Sequence, residues 1–160
     1  MARTDEQHDR ETFAVLYPEL RRFAAATADP DQDADDLIQE ALARVLRRGG
    51  LNRLDDPAAY LKRTVVHLAA NDRRSLGRRR KALQRVQVPE QLDPTYPSDL
   101  ADLLSLSPED RAVLWLTEVE RLPSDQVAEI LDCTPEAART RATRARRRLR
   151  RAFDAEEARS

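Results

Sequence analysis

The sequence predicts an all-α protein of two small helical domains joined by a flexible linker. Three observations predict it. Apolar residues recur at helical spacing along both halves of the 160-residue chain. Aromatic residues are only 4% and there are 3 Gly, too few strand formers and turn glycines for a sandwich or barrel. Pro89, Pro94 and Pro97 fall within one short stretch and divide the helical segments into two groups. The expected organisation is a helical domain over residues 1–86, a Pro-containing linker over 87–99, a second helical domain over 100–155 and a tail over 156–160.

The elements follow in order. Phe13, Leu16, Tyr17, Leu20, Phe23 and Ala24 share one face of a helix over about 9–27, which Asp29-Pro30 interrupts. Leu37, Ile38, Ala41, Leu42, Val45 and Leu46 define a second helix. Its entrance is acidic (Asp33, Asp35, Asp36) and its exit basic (Arg44, Arg47, Arg48), which suits the helix dipole. Gly49-Gly50 ends it. Asp56-Pro57 is a capping residue followed by a proline in the first helical position, opening a third helix through Tyr60, Leu61, Val65 and Leu68. Beyond the linker a short helix is expected around 99–105. Ser107-Pro108-Glu109-Asp110 then starts a helix through Val113, Leu114, Leu116 and Val119. Pro123 opens a short helix carrying Val127, Ile130 and Leu131. Asp132-Cys133 is a tight turn, and Thr134-Pro135 starts the last helix, which runs to about 153.

A net charge of −1 conceals a strong segregation. Residues 1–60 carry net −5, 61–88 net +8, 89–138 net −10 and 139–160 net +6. Two basic surfaces on an acidic protein are the footprint of a polyanion partner. Other classes are excluded. One Cys and two His cannot build a disulfide framework or a Cys/His metal site, so no metal or cofactor is expected. No Ser/His/Asp arrangement or Gly-rich phosphate loop is present, and no catalysis is expected. No apolar run approaches the roughly 20 residues of a membrane span, and MARTDEQHDRE is not a signal peptide, so a cytoplasmic protein without membrane contact is expected.

The segment Pro123–Phe153 reads as a helix-turn-helix. At 100° per residue, Ala138, Ala142, Ala145, Leu149 and Phe153 fall on one side of the last helix. Thr140, Arg144, Arg147 and Arg151 fall on the other, flanked by Arg139 and Thr143. Eight Arg lie between Arg139 and Arg151 with no acid among them. Guanidinium and hydroxyl groups on a helix suit a major groove, where Arg reads guanine bidentately and others hold phosphate. The bland reading is a solvated basic helix, but eight unopposed cations repel one another unless a polyanion is near. The helix at Asp33–Leu46 has an acidic, polar face around Asp36, Gln39 and Glu40, which taken alone reads as a solvated face. Cys133 and Trp115 are expected in the core, and His67 on a helix surface.

DADDLIQEALARVL, DPAAYLKRTVVHLAANDRRSLGRRRK and LSPEDRAVLWLTEVERLPSDQVAEILDCTPEAARTRATRARRRL, in this order, resemble the bacterial RNA polymerase sigma factors of the extracytoplasmic-function (ECF) type. The likeness covers about Phe13 to Phe153. It implies sigma domain 2 and sigma domain 4 for the two halves, and a promoter-specificity subunit as the function. It further implies that Asp36, Leu37, Gln39 and Glu40 dock on the clamp helices of the largest subunit of core RNA polymerase. The loop Arg47–Asp56 becomes the pocket for a flipped minus-10 base, with Arg53 in it. Lys62, Arg63, Asn71, Arg73 and Arg74 follow the non-template strand there. Arg139, Thr140, Thr143, Arg144 and Arg147 meet the minus-35 duplex. Partners implied are core polymerase, promoter DNA and an anti-sigma factor, the last of which no residue here identifies. Tyr60 stands where the family usually has Trp, His67 where it has Asn, Asp132 where it has Gly, and Pro123 where it has a capping Ser.

Two other classes remain open on sequence alone: a stand-alone helix-turn-helix regulator, and a sigma-like protein that acts only by titrating a regulator. Affinity capture of core polymerase separates the first reading from both. The prolines at 89, 94 and 97 disfavour a continuous helix between the halves. Limited proteolysis of the free protein is therefore expected to cut first between about Val86 and Leu100, and first cleavage inside Asp33–Leu46 would contradict the boundary.

Overall fold

The computed structural model describes residues 2–84, 103 and 105–159, with side chains described for 3–72, 103 and 105–159. Among the described residues there are six α-helices and no strand: α1 Ala2–Thr27, α2 Ala34–Arg47, α3 Pro57–Gln84, α4 Pro108–Leu114, α5 Ser124–Leu131 and α6 Pro135–Glu157. The linker expected at 87–99 lies outside the described residues, as does nearly all of the helix expected around 99–105.

Local chemistry explains the helix ends. Asp33 caps α2 by accepting from the N–H groups of Asp35 and Asp36. Asp56 Oδ1 accepts from Ala59 N at 3.0 Å to start α3. Ser107 Oγ accepts from Asp110 N at the start of α4, and Thr134 Oγ1 from Ala137 N at the start of α6. Each removes one unpaired donor of a first helical turn. Pro123 precedes α5 without a side-chain cap.

The first helix begins seven residues before the apolar pattern suggests, and α6 runs four residues further than expected. The early turns of α1 carry few apolar residues, and a tertiary contact occupies them. Asp9, buried, accepts from Leu51 N at 3.0 Å and Asn52 N at 3.1 Å, and Asp5 accepts from the Asn52 side chain. These bonds pin a single 3₁₀ turn, Leu51–Arg53, inside the loop between α2 and α3. Gly50 makes the approach possible. Its φ of +102° favours glycine, and a Cβ there would overlap the Asp9 carboxylate.

Helices α1–α3 form one unit and α4–α6 the other, as expected of two small helical domains. The two units also meet. Helices α1 and α3 pack on α4, and α3 on α5. Leu20, Phe23, Ile38, Leu61 and Val65 of the first half join Leu106, Val113, Leu116 and Val127 of the second in one continuous buried cluster. Burial of each such side chain contributes about 1.5–3 kcal/mol. Two expected core positions are open instead: Leu46 is 50% exposed and Val119 57%.

An ion pair crosses the same junction. The Arg111 side chain is 1% exposed, and its Nη2 donates to Asp29 Oδ1 at 2.6 Å and to the Thr27 carbonyl at 2.8 Å. Its Nε and Nη1 find no acceptor among the described residues.

Gly50→Ala is expected to destabilise the protein by more than about 1 kcal/mol, because the new side chain meets both an unfavourable φ and the Asp9 carboxylate. Denaturant unfolding checks this. Amide exchange at Leu51 and Asn52 should quicken in Asp9→Ala, where both donors lose their acceptor.

Candidate nucleic-acid interface

The helix-turn-helix is built from α5 and α6. Asp132 joins them at φ 55° and ψ 51°, a left-handed conformation that a short polar side chain tolerates. Ala138, Ala142 and Ala145 are buried, so their small side chains bring the α6 backbone close to α4 and α5. Leu149 packs partly against the core, and Phe153 is more open. Arg139, Thr140, Thr143, Arg144, Arg147 and Arg151 are all exposed. Thr143 Oγ1 donates to the Arg139 carbonyl at 3.0 Å. A cavity of about 610 Å³ opens beside the first turns of α6, lined by Thr134, Thr140 and Arg144 among others.

The arginines of α6 are not all unopposed, and here the expectation needs correction. Acids on α4 and the turn after it meet three of them. Asp110, buried, takes Arg148 at 3.0 Å and lies 3.7 Å from Arg141. Glu118 pairs with Arg146 at 2.5 Å. Arg148 is thus paired with an acid of its own domain, although its side chain remains largely exposed. Within α6 no acid lies between Arg139 and Arg151; the neutralising charges come from sequence positions about 30 residues earlier.

On α2, Asp36, Gln39 and Glu40 stand exposed, whereas Leu37 is buried and supports them from the core. Glu40 accepts from Arg44 at 3.1 Å and Arg47 at 3.4 Å. The Arg44 hydrogen bond, aided by the charge of Arg47, holds the Glu40 carboxyl below the usual carboxylate range. It therefore stays ionised as the pH falls through the range where free Glu takes up a proton. At the other edge of α2, Tyr17 donates to Asp35 at 2.6 Å, a bond that pushes the phenol pKa up, and Arg21 pairs with the same carboxylate at 3.1 Å.

The candidate minus-10 residues divide. Arg53 and Asn71 are exposed. Arg73 and Arg74 lie on α3 outside the residues whose side chains are described. Lys62 and Arg63 are engaged. The Lys62 side chain is 6% exposed, and its Nζ donates to Glu19 Oε1 at 2.6 Å and Glu120 Oε2 at 2.7 Å, 5.9 Å from the centre of the Phe23 ring. Arg63 donates through Nε (3.1 Å) and Nη2 to the carbonyl of Glu129. That carbonyl belongs to the last turn of α5, where backbone acceptors lack helical partners and the dipole is negative.

Glu120 is placed by local backbone irregularity. After α4 the chain widens into a π-helical turn, Trp115–Val119, and Arg121 then adopts φ +57°. The Glu120 carboxylate, 11% exposed, accepts from Trp115 Nε1 at 3.1 Å and from Lys62. Trp115 is therefore only partly buried, with its indole N–H used as a tether. Cys133, expected in the core, is exposed because the turn carrying it faces outward. His67 lies on the surface of α3 as expected. Residues that sequence reading missed are Asp9, Asp29, Arg111 and Glu120. Each carries a charge that is buried by a partner distant in sequence, and only the charge was visible.

Among the described residues no helix is long and apolar enough to cross a membrane. A profile described as "Sigma-70 region 2" matches residues 12–79, and one described as "Sigma-70, region 4" matches residues 103–149. No curated protein matches the chain. A solved structure similar in fold is the sigma factor RpoE in complex with the anti-sigma factor NepR from Bartonella quintana. It is 19% identical, with a TM-score of 0.70, over 91% of this chain and 96% of that one. Two units of the sigma-70 type, in family order, account for α1–α3 and for α4–α6, and members of this family are regulatory, non-catalytic subunits. The chain belongs to the sigma-70 family as a sigma factor of the ECF type, a subunit that binds core RNA polymerase and promoter DNA to direct transcription initiation.

Proposed function

We propose that the exposed face of α2 is the polymerase-docking surface, that the Arg47–Asp56 loop and the adjoining face of α3 hold the melted minus-10 element, and that the first turns of α6 read the minus-35 duplex. The observation that carries this reading is the solvent-facing set Arg139, Thr140, Thr143 and Arg144, at the N-terminal end of a helix whose opposite side is buried alanine. A helix-turn-helix inserts that end of its second helix into the major groove. Arg147 lies further along and reaches the groove edge.

Docking falls to Asp36, Gln39 and Glu40, with Leu37 setting the rigid floor beneath them, against the clamp helices of the largest polymerase subunit. Arg53 and Asn71 flank the loop pinned by Asp9. Extruding a base costs a few kcal/mol, and a preorganised loop offsets that cost by capturing it. Arg73 and Arg74 extend the basic run of α3 along the strand. The chain performs no chemistry itself; it binds, and melted DNA is held unchanged. Its place of action is the cytoplasm, where polymerase and promoter meet. An anti-sigma factor, the kind of partner bound by RpoE in the similar structure, is a further partner.

Replacing Asp36 and Gln39 with Arg is expected to weaken core polymerase binding by about 2–5 kcal/mol while leaving helicity intact. Unchanged affinity in a calibrated binding assay would remove α2 from the interface. On α6, Arg144→Ala should alter which minus-35 sequences are used, with about 1–3 kcal/mol lost on the preferred one. Arg151→Ala should weaken all sequences alike and lower the salt slope by up to about one unit. A panel of minus-35 variants at several salt concentrations distinguishes the two; the reverse pattern would mean that α6 docks differently.

A further inference from the structure

We propose that Asp110 and Glu118 are specificity-determining residues for duplex DNA: each cancels one positive charge on a flank of α6, which suppresses sequence-independent grip on phosphate and leaves the reading stripe exposed. The inference rests on the assignment of α6 to the minus-35 duplex made above. It goes beyond that assignment by naming two acids outside the proposed contacts.

Eight arginines lie between Arg139 and Arg151. At about 100° per residue, Arg141 and Arg148 fall on one flank of α6 and Arg146 on the other, roughly 150° away. Between these flanks, opposite the buried alanines, run Thr140, Arg144 and Arg147. Asp110, in the first turn of α4, serves the first flank, with Arg148 at 3.0 Å and Arg141 at 3.7 Å. Glu118, in the π-helical turn after α4, serves the second, with Arg146 at 2.5 Å. A short helix and its exit turn thus bring one acid to each flank.

In a major groove about 12 Å wide, the phosphates line the edges and the bases form the floor. A helix lying there presents its flanks to phosphate and its outward stripe to base edges. Phosphate contacts favour every sequence alike, whereas base contacts discriminate. A cation already matched by a carboxylate brings less charge to the groove edge and releases fewer counterions there. Exposure of the guanidinium does not undo this. The Arg148 side chain is 65% exposed, but that of Asp110 is only 10% exposed and cannot follow it to DNA. Moving Arg141 and Arg148 onto phosphate would strand a buried carboxylate without its cations, so the cost falls on the acid. Asp110 also lines the cavity beside the first turns of α6 together with Thr140 and Arg144, where its charge opposes the entry of a phosphate.

The test uses the full-length chain with Glu118→Gln, with Asp110→Asn and with both. The changes preserve side-chain size, and the bond from the Asp110 backbone N–H to Ser107 is independent of the carboxylate. Affinity for a labelled random-sequence duplex is measured between about 50 and 200 mM salt, and then across a panel of minus-35 variants. Each substitution should raise random-duplex affinity at low salt and steepen the salt slope by up to about one unit, a further loss of about three- to fourfold over that range. The spread of affinities across the panel should narrow. Adding Arg146→Gln to Glu118→Gln should return the slope to that of the unmutated chain, because it removes the cation set free. Loss of structure acts in the opposite direction, weakening every duplex. Glu118→Gln, which alters a half-exposed pair, therefore decides the matter if Asp110→Asn is destabilised. Slopes and spreads at the unmutated level would overturn the proposal, as would weaker random-duplex binding by Glu118→Gln. Arg144→Ala is measured on the same duplexes. Unchanged binding by Arg144→Ala would count against α6 as the duplex reader, whereas weakened binding by it alongside silent acid variants would count against the proposal alone.

Discussion

The Arg111 guanidinium, buried between the two halves and paired with Asp29 and the end of α1, sets how this molecule is assembled. A charge taken out of water is tolerated only with close partners, and removing one partner of such a pair typically costs about 3–5 kcal/mol. Arg111 therefore requires α4 to lie against the turn after α1. That placement brings the π-helical turn over α3 and delivers Glu120 to Lys62. It also sets the C-terminal end of α5 beside Arg63. The apolar surfaces of the two units then merge into one buried cluster. Hydrophobic contact supplies the larger part of the association, and the ion pairs select its register, because apolar burial alone is non-directional.

A second constraint works within the first half. Asp9 fixes the loop between α2 and α3 by taking two backbone N–H groups, and Gly50 is the residue that lets the carboxylate approach. A loop with unpaired backbone donors would sample many conformations. One pinned by a buried carboxylate from a neighbouring helix is shaped before any ligand arrives, so less ordering entropy is lost on binding. The polymerase-facing side of α2 follows similar logic, since Leu37 and Ile38 anchor the helix while Asp36, Gln39 and Glu40 remain free of the core.

Charge on the last helix shows how far a linear reading reaches. Its buried alanine stripe and its exposed Arg/Thr stripe follow from periodicity, and both stand in the structure. Which arginines are free does not follow. Asp110 and Glu118 hold Arg148 and Arg146, and Asp110 lies near Arg141, leaving Arg139, Arg144 and Arg147 facing outward. A cluster that looks uniformly cationic in sequence is thereby sorted into members with an acidic partner and members facing solvent.

Sequence by itself determined what depends on neighbours within one or two turns. The starts of α2, α3, α4 and α6 follow from Asp33, Asp56, Ser107 and Thr134, and the turn of the helix-turn-helix from Asp132. The division into two helical units was legible too, as were the family motifs along them. These features were readable because caps, turns and amphipathic stripes are local interactions. The early start of α1 was not, because its polar turns are held by a loop more than 40 residues away. Nor were the exposure of Cys133 and Val119 or the burial of Lys62 and Arg111. Lys62 meets Glu120 across 58 residues and Arg111 meets Asp29 across 82, so neither charge has a partner until the chain is folded. Whether a cation faces solvent, DNA or a carboxylate of its own chain is settled by that long-range packing, since periodicity assigns a residue to a face of its helix but not to what covers that face.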